Sequence, residues 1–254
     1  MAAPIAYQRK RALIIGINNY RHDPLIYCLN DATDLAVTLR RMDFNLVLRK
    51  DCKLVEFYKI IDQFAATIQP DDLVLFYFAG HGKQCEKENY LLPSDYDYDY
   101  RGHERDYIPN HAINAKYVMK KIDDQKCRVT IHLFDCCRNF VRLRATNISQ
   151  GLLPMHAQLQ SLIVFACAPG KSVQDETRNN KNGSFMENLL MHIVTPNKDI
   201  EEIMKDVADN VYLQTGGFQL PYRTSSIIGK LFLVGSANQG QCILRQHRST
   251  FEER

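Results

Sequence analysis

Apolar residues occur in two patterns along the chain: short continuous runs, and segments in which they recur every three or four positions. The runs are typical of buried strands and predict six main strands, over 12–17, 46–48, 73–81, 129–134, 161–166 and 227–233, with a short extra one at 90–93. The periodic segments predict helices over 30–41, 55–68, 115–122, 185–193 and 200–213. Because strands that alternate with helices favour a parallel sheet covered on both faces, the pattern predicts an α/β fold with a mostly parallel six-stranded sheet.

Two of the apolar runs end abruptly on reactive side chains. The run over 73–82 ends in a Gly-His-Gly triplet centred on His81, and the run over 129–137 ends in the adjacent pair Cys136 and Cys137. In open parallel sheets, ligands bind and chemistry takes place in the crevice outside the carboxyl ends of the strands. A histidine and a cysteine delivered there by two strands can meet, which is what a nucleophilic cysteine needs, because a thiol requires a base to become a thiolate.

The length and composition suit one large domain. The 254 residues are 45% hydrophobic and 24% charged, as in an ordinary globular protein. We place the domain over 11–234, after a short flank at 1–10 and before a polar tail at 235–254. Within it, 138–160 has weak periodicity and predicts a long loop, a kind of segment that is often functional.

Charge, hydropathy and cysteine usage exclude several classes of protein. The net charge of +3 is too small to indicate a nucleic-acid partner. No apolar run approaches the roughly 18 residues of a membrane helix, and we find no signal peptide. The eight cysteines include no Cys-x-x-Cys pair, so reduced thiols are expected. We therefore expect a cytoplasmic protein that binds neither nucleic acid nor membrane.

The spacing of the reactive residues carries a family resemblance. Cys137 follows His81 by 56 residues and is itself followed by Arg138, and caspases carry a nucleophilic cysteine followed by Arg, Gln or Gly with a histidine about 50 residues upstream. With this arrangement the chain resembles the caspase-like cysteine peptidases (clan CD, family C14), and paracaspases and metacaspases more than true caspases. The resemblance runs over about 11–234 and includes the segments 91–95 and 165–168.

The resemblance implies a fold and a set of catalytic roles. It implies a caspase-like three-layer sandwich, with a large-subunit-like part to about 137 and a small-subunit-like part over 161–234. Cys137 would be the nucleophile of a cysteine endopeptidase and His81 its proton carrier. The backbone N–H groups of Gly82 and Cys137 would form the oxyanion hole. The substrates would be proteins or peptides, no cofactor or metal would be needed, and a homodimer is possible.

Two acids match the family segments that build the pocket for the P1 residue, the residue on the amino side of the cleaved bond. They are Asp31, in the segment 27–32, and Asp135, two residues before Cys137. Two carboxylates in a confined pocket suit a guanidinium, which they can bind by paired hydrogen bonds. We therefore expect cleavage after Arg, then Lys. The position of a third acid found in some relatives falls near 171–172, where this chain has none.

Simpler interpretations stand beside these. Asp31 could be an ordinary acid at a helix start, and Asp135 could orient backbone in its turn. Cys136 competes with Cys137 for the role of nucleophile, but neighbours in a strand point to opposite faces, so one of them belongs to the core. The alternating Asp and Tyr residues over 95–100 could bind Ca²⁺, although their pattern is more typical of a solvated loop and lacks EF-hand spacing.

Two other functions remain open at this stage. A catalytically silent caspase-like scaffold would have the same fold, although the intact His81 and Cys137 argue against it. A flavodoxin-like binding domain would need a glycine-rich phosphate loop after the first strand, which this sequence lacks. In an active enzyme, Arg142 and Arg144 in the long loop would also permit self-cleavage.

Overall fold

A computed structural model describes residues 2–99, 101–137, 152–168 and 179–235. These residues form the strands β1 (Arg9–Gly16), β2 (Phe44–Lys50), β3 (Asp72–Cys85), β4 (Glu88–Leu91), β5 (Ile113–Asn114), β6 (Val129–Cys137), β7 (Ser161–Phe165) and β8 (Tyr222–Ser225). They also form the helices α1 (Cys28–Arg41), α2 (Leu54–Ala65), α3 (Glu104–His111), α4 (Ala115–Asp123), α5 (Ser184–His192) and α6 (Ile200–Gln214).

The main sheet has six strands in the order β2-β1-β3-β6-β7-β8. The first five are parallel to one another, and β8 runs antiparallel to β7. The expectation of a mostly parallel six-stranded sheet in an α/β fold is confirmed. Five of the predicted main strands and all five predicted helices lie where the hydrophobic pattern placed them, within a few residues at their ends.

Helices cover both faces of this sheet. On one face, α2, α3 and α4 pack through residues such as Phe57 and Val118. On the other, α1, α5 and α6 pack through residues such as Leu35 and Ile203. Strand β3 is apolar on both faces because it lies between the two helix layers, which explains its continuous hydrophobic run.

The predicted last strand over 227–233 is wrong. The sixth strand is Tyr222–Ser225 instead, and 227–233 makes only two isolated bridges, from Lys230 to Pro4 and from Phe232 to Asp199. Gly229 adopts a φ of 110°, which breaks the extended conformation. The apolar character of this stretch comes from Leu231 and Leu233, which enter the core as loop residues and are fully buried.

Strand β3 leaves the main sheet just after the candidate histidine. Its last residues, 82–85, pair antiparallel with β4, and β4 pairs with the two-residue β5. The sequence prediction of a short strand at 90–93 is shifted to Glu88–Leu91, and it missed α3 and β5. Helix α3 contains Pro109 and has few apolar positions, so its sequence shows no hydrophobic periodicity of the helical kind. The bend brings a small second sheet close to the carboxyl ends of β3 and β6.

The end of β1 lies in direct contact with the start of α1, the helix that carries Asp31. A Cβ atom added at Gly16 would lie 2.5 Å from the carbonyl oxygen of Cys28 and 2.8 Å from the Cβ of Ala32. No side chain fits in this space unless the helix moves.

Gly16→Ala should therefore lower the free energy of unfolding by about 1–3 kcal/mol, the usual cost of overpacking a core. Urea denaturation followed by circular dichroism measures it. Val37→Ala is the matched control, because it changes the partly exposed face of the same helix. Equal stability of Gly16→Ala and the unaltered chain would show that α1 tolerates displacement.

Candidate active site

The pairing of β3 with β6 brings the two candidate catalytic residues to the same place. In this parallel register His81 lies opposite Cys137, Gly80 opposite Cys136 and Ala79 opposite Asp135. Neighbouring strands are about 4.8 Å apart, so the backbones at 81 and 137 are adjacent at the carboxyl edge of the sheet. The side chain of Cys137 and the loop residues 138–151, with Arg142 and Arg144, lie outside the described residues.

Cys136 lies in the core. It is buried in the cluster that α2 and α4 cover. A Cβ atom at Gly82 would lie 2.9 Å from the Cβ of Cys136 and 3.2 Å from a methyl carbon of Leu152. Position 82 therefore has to be glycine for the packing of this layer, whatever its part in the chemistry.

The carboxyl-terminal end of the long loop, at 152–155, is held beside the core layer that contains Cys136. The Asn89 side chain on β4 donates to the carbonyl of Leu153 (2.8 Å) and accepts from its N–H (2.7 Å). Leu152 and Met155 are buried in the same cluster as Cys136. The loop is polar and its hydrophobic periodicity is weak, but its last segment packs against the site.

A backbone carbonyl contacts the imidazole of His81. Its Nε2 lies 2.7 Å from the carbonyl oxygen of Asp23. A carbonyl only accepts, so Nε2 carries the proton of the neutral ring and Nδ1 is the nitrogen that can take one up. The Tyr20 ring packs 4.4 Å from the imidazole, and its hydroxyl accepts the backbone N–H of His81 (2.9 Å).

The loop that supplies this carbonyl, 18–25 between β1 and α1, is anchored by acids from elsewhere. Asp51 accepts from the backbone N–H groups of Asn18 and Asn19, both at 2.9 Å. Asp97 contacts Arg21 at 2.5 Å and His22 at 3.1 Å. Since Asp23 directly follows Arg21 and His22, the Asp97 contacts help to fix the carbonyl that orients His81.

The two candidate pocket acids are both buried and lie close to each other. Asp31 is 3% exposed and Asp135 is 4% exposed. Burial raises the pKa of the Asp31 carboxyl, and the neighbouring charge of Asp135 raises it further. Burial also raises the pKa of Asp135, against a smaller lowering by its hydrogen bond from Tyr77. The structure thus brings the two acids together, as the pocket hypothesis requires.

Each of these carboxylates has one oxygen bound by the protein. Oδ1 of Asp31 accepts from Asn182 Nδ2 (3.1 Å) and from the N–H of Gly183 (3.0 Å). Oδ2 of Asp135 accepts from the hydroxyl of Tyr77 (3.0 Å). Among the described residues, the second oxygen of each acid has no hydrogen-bond partner. Positions 171–172, where some relatives carry a third acid, lie outside the described residues.

Sequence reasoning missed Tyr20, Asp23, Tyr77 and Asn182. Tyr77 alone carried a signal: it places a hydroxyl inside a strand predicted to be buried on both faces, and buried hydroxyls require partners. The orienting group of Asp23 is a carbonyl, which every residue has. Asn182 lies 151 positions from Asp31, and no local pattern connects such distant residues.

The acid–tyrosine run over 95–100 has structural contacts. Oδ1 of Asp95 accepts the N–H of Leu54 at the start of α2, and Asp97 binds the loop 18–25. No group of three His, Cys, Asp or Glu side chains suited to a metal ion occurs in the part of the chain that the structure describes. None of the helices described has both the length and the apolar character needed to cross a membrane.

The fold and the strand-end histidine and cysteine define a class of protein. The sequence profile of peptidase family C14, the caspase domain, matches residues 9–233. The chain therefore belongs to the caspase-domain peptidase family.

Particular relatives narrow this class. Human mucosa-associated lymphoid tissue lymphoma translocation protein 1 is 26% identical over 225 residues, which cover 85% of this chain and 26% of that protein. Metacaspase-2 of Trypanosoma brucei brucei is 28% identical over 158 residues, which cover 55% of this chain and 44% of the metacaspase. The chain thus spans about a quarter of the first relative and less than half of the second. The resemblance to paracaspases and metacaspases is confirmed.

Solved structures agree on the fold. The Drosophila initiator caspase Dronc superimposes with a TM-score of 0.67 at 13% identity, covering 92% of this chain and 87% of that one. Caspase-1 from Spodoptera frugiperda gives a TM-score of 0.64 at 17% identity, covering 91% and 92%. The caspase-like sandwich is confirmed, and at these identities the likeness extends to the fold alone.

The contacts of Asp97 with the loop 18–25 predict how a substitution of Asp97 changes peptidase activity. Asp97→Asn removes the charge that binds Arg21 and His22, which frees the Asp23 carbonyl to move away from His81. Exposed ion pairs contribute about 0.2–1 kcal/mol each, so we expect kcat to fall about fivefold. KM should stay unchanged, because Asp97 is not one of the two candidate pocket acids. Steady-state hydrolysis of one fluorogenic peptide separates the two constants.

Asp99→Asn is the matched control. It neutralises the next acid of the same run, whose carboxylate contacts the neighbouring Arg101. Equal kcat values for Asp97→Asn and Asp99→Asn would show that the Arg21 and His22 contacts do not act on His81.

Proposed function

We propose that this chain is a cysteine endopeptidase that cleaves after Arg or Lys through a dyad of Cys137 and His81. The observation that carries the proposal is the strand register that sets His81 opposite Cys137, together with the Asp23 carbonyl that orients the imidazole. Membership of the caspase-domain peptidase family supports it.

The proposed reaction begins at the imidazole. His81 takes the proton of the Cys137 thiol on Nδ1, and the thiolate attacks the carbonyl carbon of the scissile bond. The N–H groups of Gly82 and Cys137 then donate to the oxyanion, a contribution of about 2.7–4 kcal/mol per donor. The tetrahedral species collapses as His81 returns the proton to the leaving amine. A water molecule, deprotonated by His81, hydrolyses the acyl-enzyme.

The two buried acids support the proposed P1 preference. Their bound oxygens face Tyr77 and Asn182, and the second oxygen of each accepts no hydrogen bond from the described residues. A guanidinium presents a planar set of N–H donors that can bind two carboxylate oxygens at once, whereas an ammonium is a point charge. An Asp side chain would bring a further carboxylate, with no cation to pair with it, into a buried acidic pair whose pKa values are already raised.

Other properties remain part of the proposal. We propose protein or peptide substrates with a basic P1 residue, no requirement for a cofactor and a cytoplasmic location. Homodimerisation is compatible with the outer strand β8, whose second edge has no partner strand among the described residues.

The first test separates the two cysteines. Cys137→Ala should abolish peptide hydrolysis, because it removes the proposed nucleophile, whereas Cys136→Ala should retain most of it, because Cys136 belongs to the core. Purified variants are assayed on one fluorogenic peptide, with circular dichroism to check folding. Full activity in Cys137→Ala would contradict the dyad, and an inactive unaltered chain would favour the silent scaffold.

The second test addresses the pocket. Peptides that differ only at P1 should be cleaved in the order Arg, Lys, Asp, and the Arg-to-Asp ratio of kcat/KM should reach about 10⁴, as is common when a polar site leaves its groups unpaired. For P1 Arg, kcat/KM should fall as the pH drops through the raised pKa values of Asp31 and Asp135, because protonated carboxyls cannot pair with the guanidinium. Faster cleavage after Asp would refute the pocket.

A further inference from the structure

Tyr77 places a single hydroxyl against Asp135, one of the two buried acids of the proposed P1 pocket. It lies in β3 between Phe76 and Phe78, and its side chain is completely buried on the face covered by α1. Its hydroxyl donates to Oδ2 of Asp135 over 3.0 Å. In the register, Tyr77 lies opposite Leu133, two residues before Asp135 on the same face of β6.

Packing alone does not require this hydroxyl. The ring packs in the apolar cluster under α1, where phenylalanine has the same shape without a polar atom to desolvate. A buried hydroxyl costs free energy unless it is hydrogen-bonded, so Tyr77 depends on Asp135 as much as Asp135 does on Tyr77. The pKa of the Tyr77 phenol is raised far above its usual value by burial and by the nearby acids. The hydroxyl therefore stays a proton donor at any working pH.

We propose that Tyr77 is the positioning residue that sets the P1 specificity of this enzyme, by orienting the Asp135 carboxylate and stabilising its charge. The proposal rests on the proposed function, because it requires the acidic pair to be the P1 pocket. With Oδ2 bound to the phenol, the rotation of the carboxylate is restricted and Oδ1 is directed to the ligand. A guanidinium depends on such an orientation more than an ammonium does.

The protein orients the two acids by different means. Asp31 receives two N–H groups, from Asn182 and Gly183, and the same Asn182 side chain also binds Asp34 (3.0 Å). Asp135 receives one donor among the described residues, the Tyr77 hydroxyl. Removing that hydroxyl therefore affects one acid of the pair and leaves the bonds of the other in place.

The charged and titratable groups around the Tyr77 phenol determine how its hydroxyl changes the pKa of Asp135. Asp31 and Cys28 on α1 and Asp135 on β6 all act on Tyr77. Beyond Asp31 lies Asp34, which forms an ion pair with Lys181 at 2.7 Å. In this negative surrounding, the hydrogen bond from Tyr77 lowers the pKa of Asp135. Without the hydroxyl, Asp135 stays protonated to a higher pH.

The test is Tyr77→Phe, which deletes one oxygen atom. Hydrogen bonds to charged groups are strong enough that kcat/KM for a P1 Arg peptide should fall about tenfold, mainly through KM. The acid limb of its pH profile should move to higher pH, and the Arg-to-Lys ratio should fall. A residue with only a packing role would lower activity on both peptides equally and leave the pH profile in place.

Tyr96→Phe is the matched control. Tyr96 is also a buried tyrosine whose hydroxyl donates to a carboxylate, that of Glu104 at 2.9 Å, but it packs on the opposite face of the sheet. It should leave the Arg-to-Lys ratio and the acid limb unchanged. Thermal unfolding of both variants shows whether either loses its fold.

A second measurement needs no turnover. Benzamidine, an amidinium, is titrated into the unaltered chain and into both variants by calorimetry, and Tyr77→Phe should bind it about tenfold more weakly. Equal affinity and an unmoved acid limb in a folded Tyr77→Phe would overturn the role of Tyr77. Absence of both benzamidine binding and Arg preference in the unaltered chain would overturn the pocket itself, and with it this inference.

Discussion

The parallel pairing of β3 with β6 is the constraint on which the site depends. A shift of this register by one residue would turn every side chain of one strand to the other face, moving His81 away from position 137 and Asp135 away from Tyr77. The two helix layers prevent such a shift, because both faces of β3 are buried. Core packing therefore does more than stabilise the domain: it aligns the reactive ends of two strands that lie far apart in sequence.

The pair of buried acids, Asp31 and Asp135, is a destabilising feature, in contrast to the core packing. Burial raises the pKa values of both acids, and the neighbouring charge of Asp135 raises that of Asp31 further, so the ionised form of this region is less favourable in the folded chain than in water. Hydrogen bonds from Tyr77, Asn182 and Gly183 offset part of that cost. Binding sites often retain such local instability, and in the proposed P1 pocket an entering cation would supply the charge that the protein itself does not.

The sequence predicts features that depend on residues close together in the chain, and it misses contacts between residues far apart in it. Periodicity located the helices and the parallel strands, because burial acts on neighbouring residues, and the ends of two strands indicated His81 and Cys137. It failed at 227–233, where apolar loop residues fill the core without forming a strand, and at α3, which buries little. The Asp97 contacts to the loop 18–25 join residues about 75 positions apart, and no local pattern records them.

The orienting carbonyl of Asp23 has a consequence for how enzymes of this kind diverge. A side chain that orients a catalytic histidine can be lost in one codon change, whereas a peptide oxygen survives every substitution that preserves the path of the loop. Asp23 has a φ of 56°, a conformation that Asn, Asp and Gly tolerate and β-branched residues resist. Selection at this position would therefore act on backbone shape, and a search for an invariant third catalytic side chain would overlook it.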